Sequence, residues 1–377
     1  MLKKLSALLL LLTFSVATAN SQNVQVVPTG RILFDGAIFS NGDLGFTNGV
    51  TMPDVRMGIQ LKHKDYKAKV DIGYAYGKIS LKDIYVEHGF NDNSFIRLGY
   101  FEHQYGLQSA TRSAMKTTMI EPVINEPFFT SRLLGAMFVF SPEKFHTTFS
   151  LYAEKEAMKR VTNEAGKQGF GLMGRFVYRP FYKDGKIFHL GVSAGFDTPE
   201  YHKDEALRHS SFVLTTHFPT KVSKIEAQNA VVSNAVNMFK FTPELCLAYK
   251  RVAFETQYYY GRIHREKGIY DYTAVGGYAL LRGMLLGDDY VYSRWDSGIS
   301  AMAPKSLELT LGYTYSDLND DVAGIKGGIM NDYSATLNYY ITKYTTWRLR
   351  YSYSKTTGRT NPLNTDVHML QTRLQFV

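Results

Sequence analysis

The stretch TTWRLRYSYSK, at positions 345–355, alternates large apolar side chains with basic and hydroxyl-bearing ones. Trp347 and Leu349 fall on one parity, and Arg348 and Arg350 fall on the other. Because successive side chains of a strand point to opposite faces, this segment predicts a strand with one apolar face and one basic face. The apolar face would contact lipid or a protein core, and the basic face would contact water.

The same alternation recurs along the chain in segments of about ten residues, the length that a tilted strand needs to cross a membrane. Sixteen strands are predicted, at 30–39, 54–63, 66–76, 79–88, 95–102, 132–140, 145–153, 169–179, 187–196, 237–249, 252–262, 271–283, 305–316, 332–342, 346–356 and 366–377. The 79–88 segment breaks phase around Lys82 and Asp83, and 271–283 is too evenly apolar for its faces to be assigned. We interpret residues 210–218, SSFVLTTHF, as part of a long loop.

Short and long connections alternate nearly throughout, which is typical of an all-β, up-and-down antiparallel transmembrane β-barrel with short periplasmic turns and long external loops. The third external loop is then 103–131, while 77–78 and 284–304 break the alternation. A secreted β-sandwich is the alternative, in which the apolar face would be buried as a core. The strand length and the two kinds of connection favour the barrel, with membrane lipid as the partner of its apolar face.

The N-terminus and the composition agree with an exported barrel. Residues 1–19 have the charged start, apolar core and small-residue cleavage site of a signal peptide. Residues 20–29 would form a short periplasmic segment, and 30–377 the barrel. Aromatic residues make up 14% of the chain, and its single cysteine, Cys246, excludes an intramolecular disulfide. No later stretch of 18 apolar residues exists, which excludes a helical membrane protein.

Several segments resemble the phosphate-selective porins of the O and P type. They are SLELTLGYTYSDLND (306–320), NDYSATLNYYITKYTTWRLRYSYSK (331–355), and SLKDIYVEHGF with FIRLGYFEHQYGLQ within 80–108. The resemblance implies a sixteen-stranded porin in the outer membrane of a Gram-negative bacterium, usually a homotrimer, with the third external loop folded into the pore as a constriction. It also implies passive diffusion of small solutes and no enzymatic activity. No cofactor and no nucleic-acid partner is expected.

By parity, ten cations and six acids line the predicted lumen, which would raise the local concentration of anions. The candidate pore-lining residues for anions such as phosphate are Arg56, Arg97, Arg175, Arg348, Arg350 and Arg373, and the constriction loop with its boundary offers Arg112, Lys116 and Arg132. Two alternatives stay open. The arginines could pair with lumenal acids without selecting ions, or the lumen could be plugged in a surface or structural protein. No metal site and no catalytic group are predicted.

Overall fold

The computed structural model describes residues 24–40, 45–112, 114–129, 131–183, 185–300, 302–359 and 364–377. The predicted signal peptide, 1–19, lies outside them. The strands are β1 (Gln25–Phe39), β2 (Gly49–His63), β3 (Tyr66–Ala75), β4 (Lys78–Asn91), β5 (Ser94–Phe101), β6 (Leu133–Phe140), β7 (Phe145–Ala153), β8 (Phe170–Lys183), β9 (Lys186–Asp197), β10 (Ser211–His217), β11 (Glu226–Ser233), β12 (Ala235–Tyr249), β13 (Val252–Arg265), β14 (Tyr272–Leu286), β15 (Tyr292–Ser293), β16 (Gly298–Ile299), β17 (Ser306–Asp320), β18 (Ile325–Tyr340), β19 (Thr345–Arg359) and β20 (Thr365–Phe376). Short helices occupy Gly106–Ala110, Val123–Asn125, Lys155–Met158, Thr162–Ala165 and Glu205–Leu207.

Sixteen of these strands form one closed antiparallel barrel, in the order β1 to β9, β12 to β14 and β17 to β20, with β20 paired to β1. The prediction of a sixteen-stranded up-and-down barrel is therefore confirmed. Most strands are longer than predicted. β1 begins at Gln25, so residues 25–29 of the predicted periplasmic segment belong to the barrel. β17 ends at Asp320 and β18 begins at Ile325, so the predicted external loop 317–331 is shortened to residues 321–324. The sequence did not indicate this earlier start of β18, because glycines near it interrupt the alternation of apolar and polar side chains.

The two faces of the strands have different surroundings. Tyr351 and Leu370 on the outward parity are exposed, whereas Arg348, Arg350 and Ser352 on the inward parity are buried. The register predicted from the stretch at 345–355 is thus correct, and the apolar face is the outer surface of the barrel. Among the described residues, the helices are all too short or too polar to traverse a bilayer.

A β-bulge explains the break in phase that the sequence shows in the fourth strand. Val70 pairs with Ile84 and Ile72 pairs with Leu81, so that Lys82 and Asp83 together oppose one residue of β3. A bulge of this kind lets two consecutive side chains point to the same side of a sheet. Lys82 lies against Gly73, and Asp83 forms a salt bridge with Lys69, which is on the same parity of β3 as Gly73. The bulge therefore adds Lys82 to the inward face.

The prediction that residues 210–218 belong to a loop is wrong. Ser211–His217 and Glu226–Ser233 pair as an antiparallel hairpin, which we call the inner hairpin. Its second strand packs against β18, and Gln228 donates hydrogen bonds to the carbonyl oxygens of Ser316 (3.1 Å) and Gly328 (2.6 Å). The sequence indicates such a short strand only weakly, because its conformation depends on packing against the barrel wall and not on its own residue pattern.

Candidate functional site: the interior of the barrel

Described residues of the segment 102–132 contact the inner wall of the barrel. The backbone N–H of Gly106 donates to Ser193 Oγ on β9 (2.9 Å), and the N–H of Leu107 donates to Gln257 Oε1 on β13 (3.1 Å). Ser193 and Gln257 lie on the inward parity of their strands and are buried. The short helix Gly106–Ala110 therefore contacts the inner wall, far from the strands β5 and β6 that flank the segment.

Arginines of β19 and β20 hold two inserted segments by their backbone carbonyl groups. Arg348 donates to the carbonyl oxygens of Lys116 and Ala114, and Arg373 donates to that of Met119. Arg350 donates to the carbonyl oxygen of Pro219, at the tip of the inner hairpin, at 3.0 Å. The basic face of the stretch at 345–355 thus anchors loop backbone.

A third inserted segment, 287–305, enters from the opposite end of the barrel, where the connections are mostly short turns. Arg175 donates to the carbonyl oxygens of Asp296 (3.2 Å) and Ser297 (3.0 Å). This segment also meets the first one, because Arg112 forms a salt bridge of 3.2 Å with Asp296 and Gln104 Nε2 donates to the carbonyl oxygen of Trp295. The predicted periplasmic connection 284–304 therefore contributes to the interior.

Four predicted pore-lining arginines are covered by these segments. The side chains of Arg175, Arg350 and Arg373 are only 0–7% exposed and form salt bridges with Glu244 (2.6 Å), Asp332 (2.8 Å) and Asp35 (2.6 Å), respectively. Arg348 is also buried. They point inward as predicted, but the expectation that they face open water is wrong. A buried guanidinium needs carboxylate or carbonyl partners, and the inserted segments provide them.

A more accessible part of the interior lies along β1 to β6, next to the junction of β1 with β20, although Asp54, Asp71 and Arg132 within it are buried. We call it the charged wall; it comprises Arg31, Asp54, Arg56, Lys67, Lys69, Asp71, Lys82, Asp83, Glu87, Arg97, Glu102 and Arg132. The side chains of Arg56, Arg97 and Lys67 are 16%, 18% and 26% exposed, in contrast to the covered arginines. Two of the predicted pore-lining residues, Arg56 and Arg97, therefore remain in contact with the open part of the lumen.

Most charges of this wall are paired. Arg56 contacts Asp54 at 2.8 Å, and Arg97 contacts Glu87 at 2.6 Å. Within the described part of the chain, Lys82 has no carboxylate within 4 Å, although Arg56, the carboxylate of Asp54, Arg132 and Arg31 all contribute to its electrostatic environment. Seven cations against five carboxylates leave the wall positive, and the excess is concentrated around Lys82.

The three residues predicted for the constriction are also paired. Lys116 contacts Glu121 at 2.6 Å, and Arg132 contacts Asp83 at 2.8 Å. Arg112, whose side chain is 64% exposed, contacts Asp296. Burial favours the protonated form of Glu121, but the nearby Lys116 ammonium outweighs it and holds the pKa of that carboxyl below its usual value. Their pairing places all three in the polar framework of the interior.

A model of the phosphate-selective porin O and P family matches residues 30–377, nearly the whole chain. The chain belongs to this family. The porin is therefore an outer-membrane protein of a Gram-negative bacterium, and the family and the barrel support a passive diffusion channel rather than an enzyme. The sequence-based resemblance to this family is confirmed. A comparison with curated protein sequences found no match.

Solved outer-membrane proteins share the fold of this porin at low sequence identity. An anion-selective porin from Comamonas acidovorans is 10% identical with a TM-score of 0.59, over 94% of this chain and 99% of that chain. OmpT of Vibrio cholerae is 8% identical with a TM-score of 0.60, over 94% and 98%. A trimer form of in-vitro folded OmpT from the same species is 9% identical with a TM-score of 0.54, over 94% and 99%. At these identities the likeness concerns the fold alone.

Sequence reasoning missed two features of the porin interior. Lys82 was not assigned to the lumen, although the break in phase at 79–88 was the signal of the bulge that turns it inward. The inner hairpin also contacts the segment 102–132, because His217 lies 3.1 Å from a carboxylate oxygen of Glu126. This hydrogen bond to Glu126 raises the pKa of His217. No pattern in the sequence indicates that these two distant residues meet.

Proposed function

We propose that this porin conducts small anions preferentially and that the charged wall sets this preference. The observation that carries the proposal is the cationic excess around Lys82 in the part of the lumen that keeps contact with water. Low-dielectric walls focus the field of such charges into the open passage and raise the local concentration of anions. Guanidinium groups such as those of Arg56 and Arg97 also match the oxygens of phosphate or carboxylate.

In this proposal the segment 102–132 forms the constriction. It leaves the barrel wall after β5, contacts β9 and β13 on the far side, and returns at β6. It thereby restricts the passage to the side of the charged wall, so that a passing ion comes close to Lys82 and Arg56. Because the Debye length is about 8 Å at physiological salt, only charges this close to the ion act strongly on it.

The test is the zero-current potential of the purified porin in a planar bilayer under a potassium chloride gradient. We expect the wild type to prefer chloride and Lys82→Glu to shift the potential toward potassium. Lys343→Glu, at the exposed turn 341–344, changes the net charge equally and should leave the potential unaltered. A wild-type preference for potassium, or an unaltered potential in Lys82→Glu, would contradict the proposal.

The burial of Arg175, Arg348, Arg350 and Arg373 beneath inserted segments gives some weight to the second candidate, a plugged barrel with a surface or structural role. The two functions differ in single-channel conductance. Discrete conductance steps from the purified porin support the channel with its charged wall. Insertion into the bilayer without any steps supports the plugged barrel.

We also propose that the porin is a homotrimer in contact with lipid over the rest of its circumference. β5 and β6 have eight residues each. At about 3.3 Å per residue and a tilt of about 40°, such strands rise only about 20 Å along the barrel axis, less than the roughly 25 Å apolar band of these proteins. A neighbouring copy would cover this short side. Chemical cross-linking of unboiled porin should give a trimer band, and a purely monomeric pattern would argue against it.

A further inference from the structure

A separate cavity of about 290 Å³ lies among the inserted segments, at the end of the barrel where the long connections are found. It is bounded by the end of the segment 102–132, the connections 154–169 and 198–210, and the inner hairpin. Its lining is more polar than apolar and includes five aromatic rings, those of Phe128, Phe129, Tyr152, Tyr201 and Phe212. Its volume is at the small end of the roughly 300–1,000 Å³ that small-molecule sites occupy.

The two lysines in the lining are each paired with a lining carboxylate. Lys240 Nζ lies 2.8 Å from Asp197, and Tyr152 donates a hydrogen bond of 2.7 Å to the same carboxylate. Lys155 lies 3.4 Å from Glu200 at the more exposed part of the cavity. The third lining carboxylate, Glu126, contacts His217. The cavity thus offers hydrogen-bonding groups whose charges are largely neutralised, with Glu126 ion-paired only while His217 is protonated.

We propose that this cavity binds an uncharged, polyhydroxylated solute of about monosaccharide size. The apolar faces of such a solute pack against aromatic rings, while its hydroxyl groups can bond to the paired Lys240 and Asp197 or Lys155 and Glu200. An anion would meet three lining carboxylates against two ammonium groups, and an organic cation would have to compete with an existing salt bridge. The site is distinct from the charged wall and does not depend on its selectivity.

The inner hairpin provides a matched pair of positions for the test. Val213 and Val231 are directly paired across the hairpin and are equally exposed, at 44% and 45%, but only Val213 lines the cavity. Val213→Trp adds an indole to the lining, whereas Val231→Trp adds the same side chain on the same face of the hairpin but outside the lining. The barrel wall is unchanged in both variants.

The measurement is calorimetric titration of the purified full-length porin in detergent with glucose. We expect saturable binding by the wild type, unaltered by excess phosphate or choline. Val213→Trp should weaken it by at least about tenfold, and Val231→Trp should leave it unaltered. If Val213→Trp does not fold, as judged by heat-modifiable migration, Phe212→Ala replaces it and should weaken binding by removing a ring.

Three results would overturn the inference: no saturable binding of glucose by the wild type, displacement of glucose by phosphate or choline, or equal binding by the cavity variant and its control. The first concerns the site itself, the second concerns the class of ligand, and the third concerns its location. None of these three results affects the zero-current potential, so the proposed ion selectivity of the charged wall is tested independently.

Discussion

Replacing Arg373 by methionine should strongly destabilise the closure of the barrel. Arg373 and Asp35 are paired across the junction between β20 and β1, and their salt bridge of 2.6 Å is 7% and 0% exposed, respectively. Arg373→Met keeps most of the side-chain volume but leaves the Asp35 carboxylate buried without its cation. Breaking such a pair from one side costs about 3–5 kcal/mol, because the remaining charge is neither hydrated nor compensated.

The assay is urea unfolding of the porin in detergent micelles, followed by far-ultraviolet circular dichroism. Arg112→Met is the matched control, because Arg112 is 64% exposed in its salt bridge with Asp296 and an exposed pair contributes at most about 1 kcal/mol. The double variant Asp35→Asn with Arg373→Met removes both charges and should recover most of the lost stability. The reasoning is refuted if Arg373→Met lowers the free energy of unfolding no more than Arg112→Met does.

Three further outcomes follow from the contacts described above. Leu349→Arg should impair assembly, because an arginine facing the bilayer midplane costs roughly 2–4 kcal/mol. The measurement is the loss of heat-modifiable migration. Normal assembly of the variant would show that this face of the barrel does not contact lipid. Arg348→Met should increase single-channel conductance, because it removes the hydrogen bonds that hold the carbonyl groups of Lys116 and Ala114, and with them the segment 102–132, against the wall. Unchanged conductance would show that other contacts hold this segment in place. The raised pKa of His217 means that its ion pair with Glu126 is complete below about pH 6.5 and is lost as the pH rises through the raised value. Hydrogen-exchange protection of the inner hairpin should therefore be greater at about pH 6 than at about pH 9, and His217→Gln should remove the difference.

The barrel could be predicted from the sequence because its signal is local and repeated. Each strand carries its own alternation, and a shift of one residue would turn every apolar side chain into the lumen. Trp347 and Leu349 therefore indicate the orientation of β19 without knowledge of any other strand. The ends of strands were less predictable, as at Gln25 and Ile325, since polar or glycine-containing ends that extend beyond the apolar band lose the alternation.

The interior was much less predictable, because parity gives the direction of a side chain but not what covers it. Arg350 points inward as its parity requires, yet its carbonyl partner at Pro219 belongs to a segment 131 residues away. The contact between Arg373 and the carbonyl oxygen of Met119 spans 254 residues. No residue pattern within a single strand indicates contacts between residues so far apart in the sequence. The parity rule therefore identified which cations point inward, but not which of them contact water.

Lys82 shows the intermediate case, in which the sequence carried a signal that the alternation rule alone could not interpret. A bulge and a mistaken strand produce the same irregularity in a single sequence. They are distinguished only by the pairing of the neighbouring strand, where Val70 and Ile72 keep regular partners on either side of the bulge. Irregular positions in an otherwise regular strand are therefore good places to look for residues with a special role.

The pairing of β1 with β20 has a consequence for biogenesis. Residues 32–39 find their partners at 369–376, so the hydrogen bonds of the first strand cannot be completed until the last strand has been synthesised and exported. Until then both ends of the growing sheet present unpaired backbone groups, which are templates for pairing with other chains. The unassembled polypeptide therefore exposes two pairing edges at once, and a chain that stops before β20 leaves the edge of β1 without its partner.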